Sequence, residues 1–201
     1  MWNHNSQALI KITFTYPEPI HGEVALIVEL LSSSVDFLHI RKPYFNEEMT
    51  ATFIGQIPEL LHSRCVIHHH YELSEKFNLA GINLRCSEMD ARKNTDELLK
   101  KVHSCSAHSI QELKALRYVP SYVFLSPVFD SISKPGYRSQ FEVSELRNFL
   151  RSTSQKVIAL GGVDDSRIPM IQDLGFSGYA QLGSIWSFDQ RTAITTEVDG
   201  N

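Results

Sequence analysis

The chain has little cysteine and lacks the signatures of several common functional classes. Its 201 residues include three cysteines, Cys65, Cys86 and Cys105, and no CxxC pair. This small, odd number argues against a disulfide framework and against a cysteine-rich zinc site, so we expect a reducing, cytoplasmic environment. The sequence also contains neither GxGxxG nor GxxxxGK[ST], and therefore gives no support to a dinucleotide-binding or P-loop fold.

Excess positive charge and long apolar runs are missing as well. Lys and Arg number 19 against 23 Asp and Glu, which gives a formal net charge of -4. We therefore expect no nucleic-acid partner and no anionic-membrane partner. The longest apolar run, 24–31, is interrupted by Glu29 and is far shorter than the roughly 18 residues that a membrane span requires. The first seven residues are mainly polar, unlike the apolar core of a secretory signal.

The composition is that of one globular domain. Apolar residues make up 42% of the chain and charged residues 21%, which is close to the globular average. No Gly/Ser-rich linker divides the sequence. We predict a single domain over residues 1–190 and a loose tail over 191–201. The oligomeric state, monomer or homo-oligomer, stays open.

Short apolar segments alternate with helical segments along the chain. Parallel strands need a crossover connection, normally a helix, so this alternation predicts a parallel sheet. Eight such units favour a small (β/α)₈ TIM barrel of the α/β class, with an open doubly wound sheet as the alternative. One helix is predicted over 46–61 and another over 96–101. The predicted strands are 10–14, 35–40, 65–68, 81–84, 102–106, 122–125, 157–160 and 178–182.

Two late strands end in small residues that suit an anion. Gly161-Gly162 follows the seventh predicted strand, and Gly183-Ser184 follows the eighth at Leu182. Glycine lets backbone N–H groups approach an anion with no Cβ in the way. Barrels often build a phosphate site after these two strands, although the same glycines could simply form tight turns. We predict that both pairs face one shared concavity.

Other residues after predicted strands could hold phosphate through charge or hydroxyl groups. Arg41 follows the second strand, where a guanidinium can clamp an oxyanion; the alternative is a salt bridge with the acidic pair 47–48. Ser131, Ser133 and Lys134 lie in the long loop after the sixth strand. A solvated surface loop would have the same composition.

Histidines supply the remaining candidates. Consecutive strand residues point to opposite faces, so at most two of the three side chains in His68–His70 can converge on a metal. No HExxH motif accompanies them. His108, two residues after Ser106, is the best acid/base candidate because imidazole titrates near neutrality; a structural cap is the competing interpretation.

Four motifs in order make the chain similar to the thiamine phosphate synthase/TenI family of small (β/α)₈ barrels. The segment 105–109 resembles G-V-S-x-H-S/T, and 123–134 resembles V-G-L-G-P-x-F-x-T-x-T-K. The segment 157–163 resembles V-x-A-I-G-G-I, and 175–178 resembles G-A-D-G. The match runs from about residue 37 to residue 185.

The resemblance implies an enzyme of thiamine biosynthesis that takes small phosphorylated substrates. The synthase joins hydroxymethylpyrimidine diphosphate to a thiazole phosphate and releases pyrophosphate. By position, Arg41, Ser106 and Lys134 would hold the diphosphate, and His39 stands where the family has a glutamine that contacts the pyrimidine. The residues that would hold the thiazole phosphate are Ser131, Ser133, Gly162, Leu182 and Gly183.

The resemblance also implies Mg²⁺, and here the chain departs from the family. His69 aligns with one magnesium-binding aspartate, and Glu88, or Asp90 after a shift of the alignment, aligns with the other. Imidazole is a poor ligand for this hard cation. We therefore expect little magnesium-dependent synthase turnover. TenI-type members instead isomerise the thiazole phosphate with the histidine that His108 matches. A barrel that binds thiazole or thiamin phosphate without catalysis is the third alternative.

Overall fold

A computed structural model describes residues 8–92, 96–130 and 141–186. It contains eight parallel strands in a closed barrel whose neighbours follow chain order, which confirms the predicted (β/α)₈ fold. The strands are β1 (Ile10–Phe14), β2 (Phe37–Ile40), β3 (Cys65–Ile67), β4 (Gly81–Arg85), β5 (Val102–Ala107), β6 (Tyr122–Leu125), β7 (Val157–Ala159) and β8 (Gly178–Gln181). The predicted tail, 191–201, lies outside the described residues.

Within these ranges, seven α-helices connect the strands and surround the barrel. They are α1 (Glu23–Ser33), α2 (Glu47–Gly55), α3 (Leu73–Lys76), α4 (Cys86–Asp90), α5 (Ile110–Ala115), α6 (Val143–Ser152) and α7 (Ile168–Leu174). Local caps set some of their starts: Asn46 accepts the Met49 N–H at α2, and Ser109 accepts the Glu112 N–H at α5. No helix in the described part of the chain is long and apolar enough to cross a membrane.

Several predicted boundaries differ from the observed ones. The helix predicted over 46–61 ends at Gly55, and a 3₁₀ turn over Glu59–Arg64 follows Pro58. Proline lacks the N–H that would continue the helix and disfavours helical backbone before it. The segment 96–101 also forms a 3₁₀ turn rather than an α-helix. The strands β7 and β8 each end one residue earlier than predicted.

The core has two parts, one outside the barrel and one inside. The larger part fills the space between the strands and the helices. The smaller part lies within the barrel, where inward side chains form an apolar layer. Its buried members are Ile12, Phe14, Tyr122, Phe124, Ile158 and Ala180.

A chain of polar side chains crosses the barrel interior beside this apolar layer. The amide nitrogen of Asn83 lies 3.4 Å from Nδ1 of His68, whose Nε2 lies 2.9 Å from Nδ1 of His39. The other ring nitrogen of His39 lies 2.7 Å from the hydroxyl of Tyr122. Ser104 donates to the amide oxygen of Asn83 at 2.8 Å. The amide nitrogen of Asn83 can only donate, so Nδ1 of neutral His68 accepts and its proton lies on Nε2. That N–H donates to Nδ1 of His39, so the proton of His39 also lies on Nε2.

Burial keeps both of these histidines neutral. Desolvation lowers the pKa of His39 well below 6.5, and the nearby His68 lowers it further. Desolvation and the charge of Arg41 lower the pKa of His68 to about 3. Protonation of either ring would put a hydrogen on Nδ1, which already accepts a hydrogen bond. None of these contacts includes an acidic group that could balance the added charge. The interior network therefore favours the neutral state.

Acid should destabilise the fold through these two groups. A histidine in the unfolded chain has a pKa near 6.5, whereas these two rings stay neutral in the folded protein well below that pH. Their contribution to the free energy of unfolding is therefore complete above about pH 6.5. The advantage is lost as pH falls from about 6.5 towards 3, by up to about 1.4 kcal/mol per pH unit for each histidine. We expect the free energy of unfolding, measured by urea titration, to fall across this range.

The variant His68→Gln should show a shallower acid slope, because glutamine does not titrate. The exposed His21 offers a matched control, and His21→Gln should keep the wild-type slope. If the free energy of unfolding depended on pH equally in wild type and in His68→Gln, the low pKa assigned to His68 would be contradicted.

Candidate functional site

The carboxyl ends of all eight strands open at one end of the barrel, which is the mouth. Strands β7 and β8 are parallel neighbours, with Ile158 opposite Gly178. The loops that follow them meet, since the Ser184 hydroxyl lies 3.5 Å from the carbonyl of Val163. Gly161-Gly162 and Gly183-Ser184 therefore lie at the same mouth, where phosphate sites of barrels are often found.

Gly162 combines a packing role with an available donor. Its φ of +63° belongs to the left-handed region, and a Cβ there would lie 2.8 Å from the carbonyl oxygen of Phe129. The loop after β6 thus packs directly on this glycine. Within the described residues, the backbone N–H groups of Gly162, Gly183 and Ser184 donate to no protein acceptor. The tight turn and the free donors occur together, and free N–H groups can hold an anion.

Ser106 faces the mouth from β5 and is oriented by Asn83. The Asn83 amide nitrogen donates to the Ser106 oxygen at 3.2 Å, and Ser106 is half-buried. The Ser106 hydroxyl also donates to the Asn83 amide oxygen over a long distance of 3.5 Å, a weak contact that a ligand oxygen can replace. His39, by contrast, is fully buried and has both ring nitrogens engaged within the barrel. It is therefore closed off from the mouth, whereas His68, which contacts it, is partly exposed.

Arg41 and Lys42 follow β2 but point to different environments. The Arg41 side chain is exposed at the mouth, and its backbone N–H donates to Thr15 at 2.9 Å. No described salt bridge joins it to the acidic pair 47–48. Lys42 is buried behind the strand and pairs with Glu23. Lys42 is therefore unavailable to the mouth, although it is adjacent in sequence.

The three consecutive histidines diverge. His68 joins the interior network, and Nε2 of His70 bonds to the carbonyl oxygen of Phe45 at 3.1 Å. His69 alone is exposed, and partial burial together with the charge of Arg41 lowers its pKa. Within the described residues, the three side chains thus have three different environments.

The residues at the expected magnesium positions do not fit Mg²⁺. His69 offers an imidazole rather than an oxygen. The carboxylate of Glu88 accepts the backbone N–H of Arg85 at 2.9 Å and so is tied to the start of α4. The described residues contain no group of three His, Cys, Asp or Glu side chains placed to hold a metal. Besides burial, the charges of Arg41 and Arg85 lower the pKa of His69, and the carboxylate of Glu88 raises it.

His108 is exposed at the mouth and has a defined tautomer. Its Nδ1 lies 3.0 Å from the carbonyl oxygen of Ser126, which can only accept, so Nδ1 carries the proton. The opposite nitrogen, Nε2, is then an acceptor that can take a proton from a ligand. Glu112 accepts the backbone N–H of His108 at 3.1 Å and fixes this turn. The residue is thus both held in place and chemically available.

Ser131, Ser133 and Lys134 lie outside the described residues, so their predicted roles stay predictions. Sequence reasoning missed Asn83, which orients Ser106, and Arg85, which ends β4. Residues 83 and 85 share one face of the strand. The alternation of side chains along β4 was the sequence signal that could have identified Asn83 and Arg85 as inward-facing.

Comparisons with known proteins agree with the geometry of the barrel. A family model described as thiamine monophosphate synthase matches residues 12–185. A thiamine-phosphate synthase of Clostridium acetobutylicum is 25% identical over 174 residues, covering 85% of this chain and 77% of the relative. One from Serratia proteamaculans is 24% identical over 191 residues, covering 90% and 88%.

A solved structure gives the same result. The thiamine phosphate pyrophosphorylase from Bacteroides thetaiotaomicron is 30% identical, with a TM-score of 0.74, and the match covers 96% of this chain and 90% of that chain. The family match and the shared barrel both extend over most of the sequence. The chain therefore belongs to the thiamine monophosphate synthase family.

Proposed function

We propose that this chain joins hydroxymethylpyrimidine diphosphate to a thiazole phosphate and releases pyrophosphate. The observation that carries the proposal is the presence of donor groups on two sides of the mouth. Gly162, Gly183 and Ser184 offer free N–H groups on one side. Arg41 and Ser106 offer a guanidinium and an oriented hydroxyl on the other. Two phosphorylated substrates require two such sides.

The reaction needs charge stabilisation more than proton transfer. The C–O bond between the pyrimidine methylene and the diphosphate breaks, and its electron pair leaves with pyrophosphate. The thiazole nitrogen supplies the electron pair for the new C–N bond. Arg41 and Ser106 face the leaving group, where donors fixed in advance stabilise the charge that develops. Lys134 would add a second cation by its place in the family motif.

The interior network supports the floor of this site. Asn83 holds both His68 and Ser106, so the position of the diphosphate-binding hydroxyl is linked to the buried histidines. Phe14 and Phe124 pack beside His39 with ring centroids 5.0 and 4.8 Å away. We assign His39 a positioning role because it has no exposed surface.

Incubation of the purified chain with both substrates tests the proposal. We expect thiamine phosphate to accumulate, and added Mg²⁺ to raise the rate little, because His69 and Glu88 do not form a magnesium site. Chromatography of thiamine phosphate, with Mg²⁺ or with EDTA, gives the measurement. Absence of product under both conditions would contradict the proposed reaction, and strong dependence on Mg²⁺ would contradict the account of the site.

A second candidate activity, isomerisation of the thiazole phosphate, is favoured by His108. Its Nδ1–H is bonded to the Ser126 carbonyl, so Nε2 can remove a proton from a carbon acid and return it elsewhere on the ring. Turnover of the thiazole tautomers without thiamine phosphate formation would identify this activity. Binding of thiazole phosphate without either turnover would identify a non-catalytic barrel.

For the isomerase activity, His108→Ala should lower tautomer interconversion by roughly 10²- to 10⁴-fold, the usual range for general acid–base catalysis. The affinity for the thiazole phosphate should change little, because the free N–H groups of the mouth remain. The rate, followed by NMR of the thiazole protons, and a separate binding titration distinguish these effects. An unchanged rate would exclude His108 as the base.

A further inference from the structure

Arg85 extends the inward-facing row of β4 to the mouth. Asn83, two residues earlier, points into the barrel, where it contacts Ser104 and Ser106. Alternation along the strand gives residues 83 and 85 the same face. Arg85 is also the direct Cα partner of Ser106 on β5, and its side chain is exposed. The guanidinium therefore belongs to the rim next to the oriented hydroxyl.

Arg41 occupies the corresponding place on the other side of β3. Strand β3 lies between β2 and β4, and neighbouring strands are separated by about 4.8 Å, so the two arginine backbones lie about 10 Å apart. Besides burial, the charges of Arg41 and Arg85 each lower the pKa of His69, so both guanidiniums act on this ring, and the carboxylate of Glu88 raises the pKa. The end of β3 is thus flanked by two cations.

Neither guanidinium is committed to an acidic partner. Other arginines are paired, as in Arg92 with Asp96 and Arg147 with Asp173. No salt bridge in the described ranges includes Arg41 or Arg85. Glu88, the acidic residue nearest in sequence to Arg85, contacts its backbone N–H. Two exposed, unpaired guanidiniums at one rim form a place where a polyanion gains more than one charged hydrogen bond.

We propose that Arg85 is a further diphosphate-binding residue, and that it and Arg41 together supply the positive charge that a divalent cation would otherwise bring. A diphosphate has two phosphoryl groups, and one guanidinium can bind each of them bidentately. Two observations then have one explanation. His69 and Glu88 do not fit Mg²⁺, and Arg41 and Arg85 form no salt bridge among the described residues. This inference rests on the proposed function, because pyrophosphate is the product which that reaction releases.

Calorimetric titration with inorganic pyrophosphate in EDTA tests the inference on the whole chain. Wild type should bind without metal. Arg85→Ala and Arg41→Ala should each weaken binding by roughly 10- to 100-fold, the range for hydrogen bonds to charged groups. Arg85→Lys should fall between wild type and Arg85→Ala, because lysine retains the charge and loses the bidentate geometry.

Two controls separate a site from general electrostatics. Arg117 is exposed before β6, at the opposite end of the barrel, so Arg117→Ala removes the same charge away from the mouth. Its pyrophosphate affinity should equal that of wild type. Thermal unfolding of each variant shows whether the fold is retained, which we expect because all of these side chains are exposed.

Three results would overturn the inference: no binding in EDTA, binding that appears only with added Mg²⁺, or equal affinities for Arg85→Ala and Arg117→Ala. The outcome is separable from that of the proposed function. Metal-free binding that depends on Arg85, without formation of thiamine phosphate from both substrates, would support the diphosphate site and reject the synthase reaction. Thiamine phosphate formation that is insensitive to Arg85→Ala would support the synthase reaction and reject Arg85 as a diphosphate-binding residue.

Discussion

The pairing of β8 with β1 is the constraint on which the rest of the structure depends. This ladder, from Ile10 opposite Gly178 to Thr13 opposite Gln181, closes the sheet and removes both of its edges. It requires glycine at 178, because a Cβ there would lie 2.8 Å from the Cβ of Ile10 and 2.8 Å from the Cδ1 of Ile158. Closure brings all strand ends to one mouth, so residues far apart in sequence lie around the same opening.

Much of this architecture could be predicted from residue patterns. Apolar segments separated by helical stretches require parallel strands, and Asn46 marks the start of α2 as expected. The pattern does not show whether a helix continues past a proline that lies among good helix formers, as at Pro58. Very short helices are equally hard to predict, and α4 over Cys86–Asp90 lies in a stretch with too few residues to show a period.

The candidate site was less predictable, because a sequence shows which residues end a strand but not which way each points. Arg41 and Lys42 are neighbours with the same charge, and only one of them reaches the mouth. His39 looked like a ligand-facing residue, yet the larger rings of the barrel interior enclose it. Alternation along β4 indicates that Asn83 faces inward, but its role depends on His68 after β3 and Ser106 on β5, partners that a local pattern does not identify.

The buried Lys42–Glu23 pair gives the chain an internal reporter of its own opening. The ammonium group also donates to the carbonyl of Glu18 at 3.1 Å and lies 4.9 Å from the ring centroid of Phe53. Glu23 stands at the first turn of α1, so the pair joins this helix to the end of β2. An amine-selective reagent can reach Lys42 only when this packing opens. The labelling rate of this one lysine would therefore measure how often that part of the wall opens, independently of any ligand.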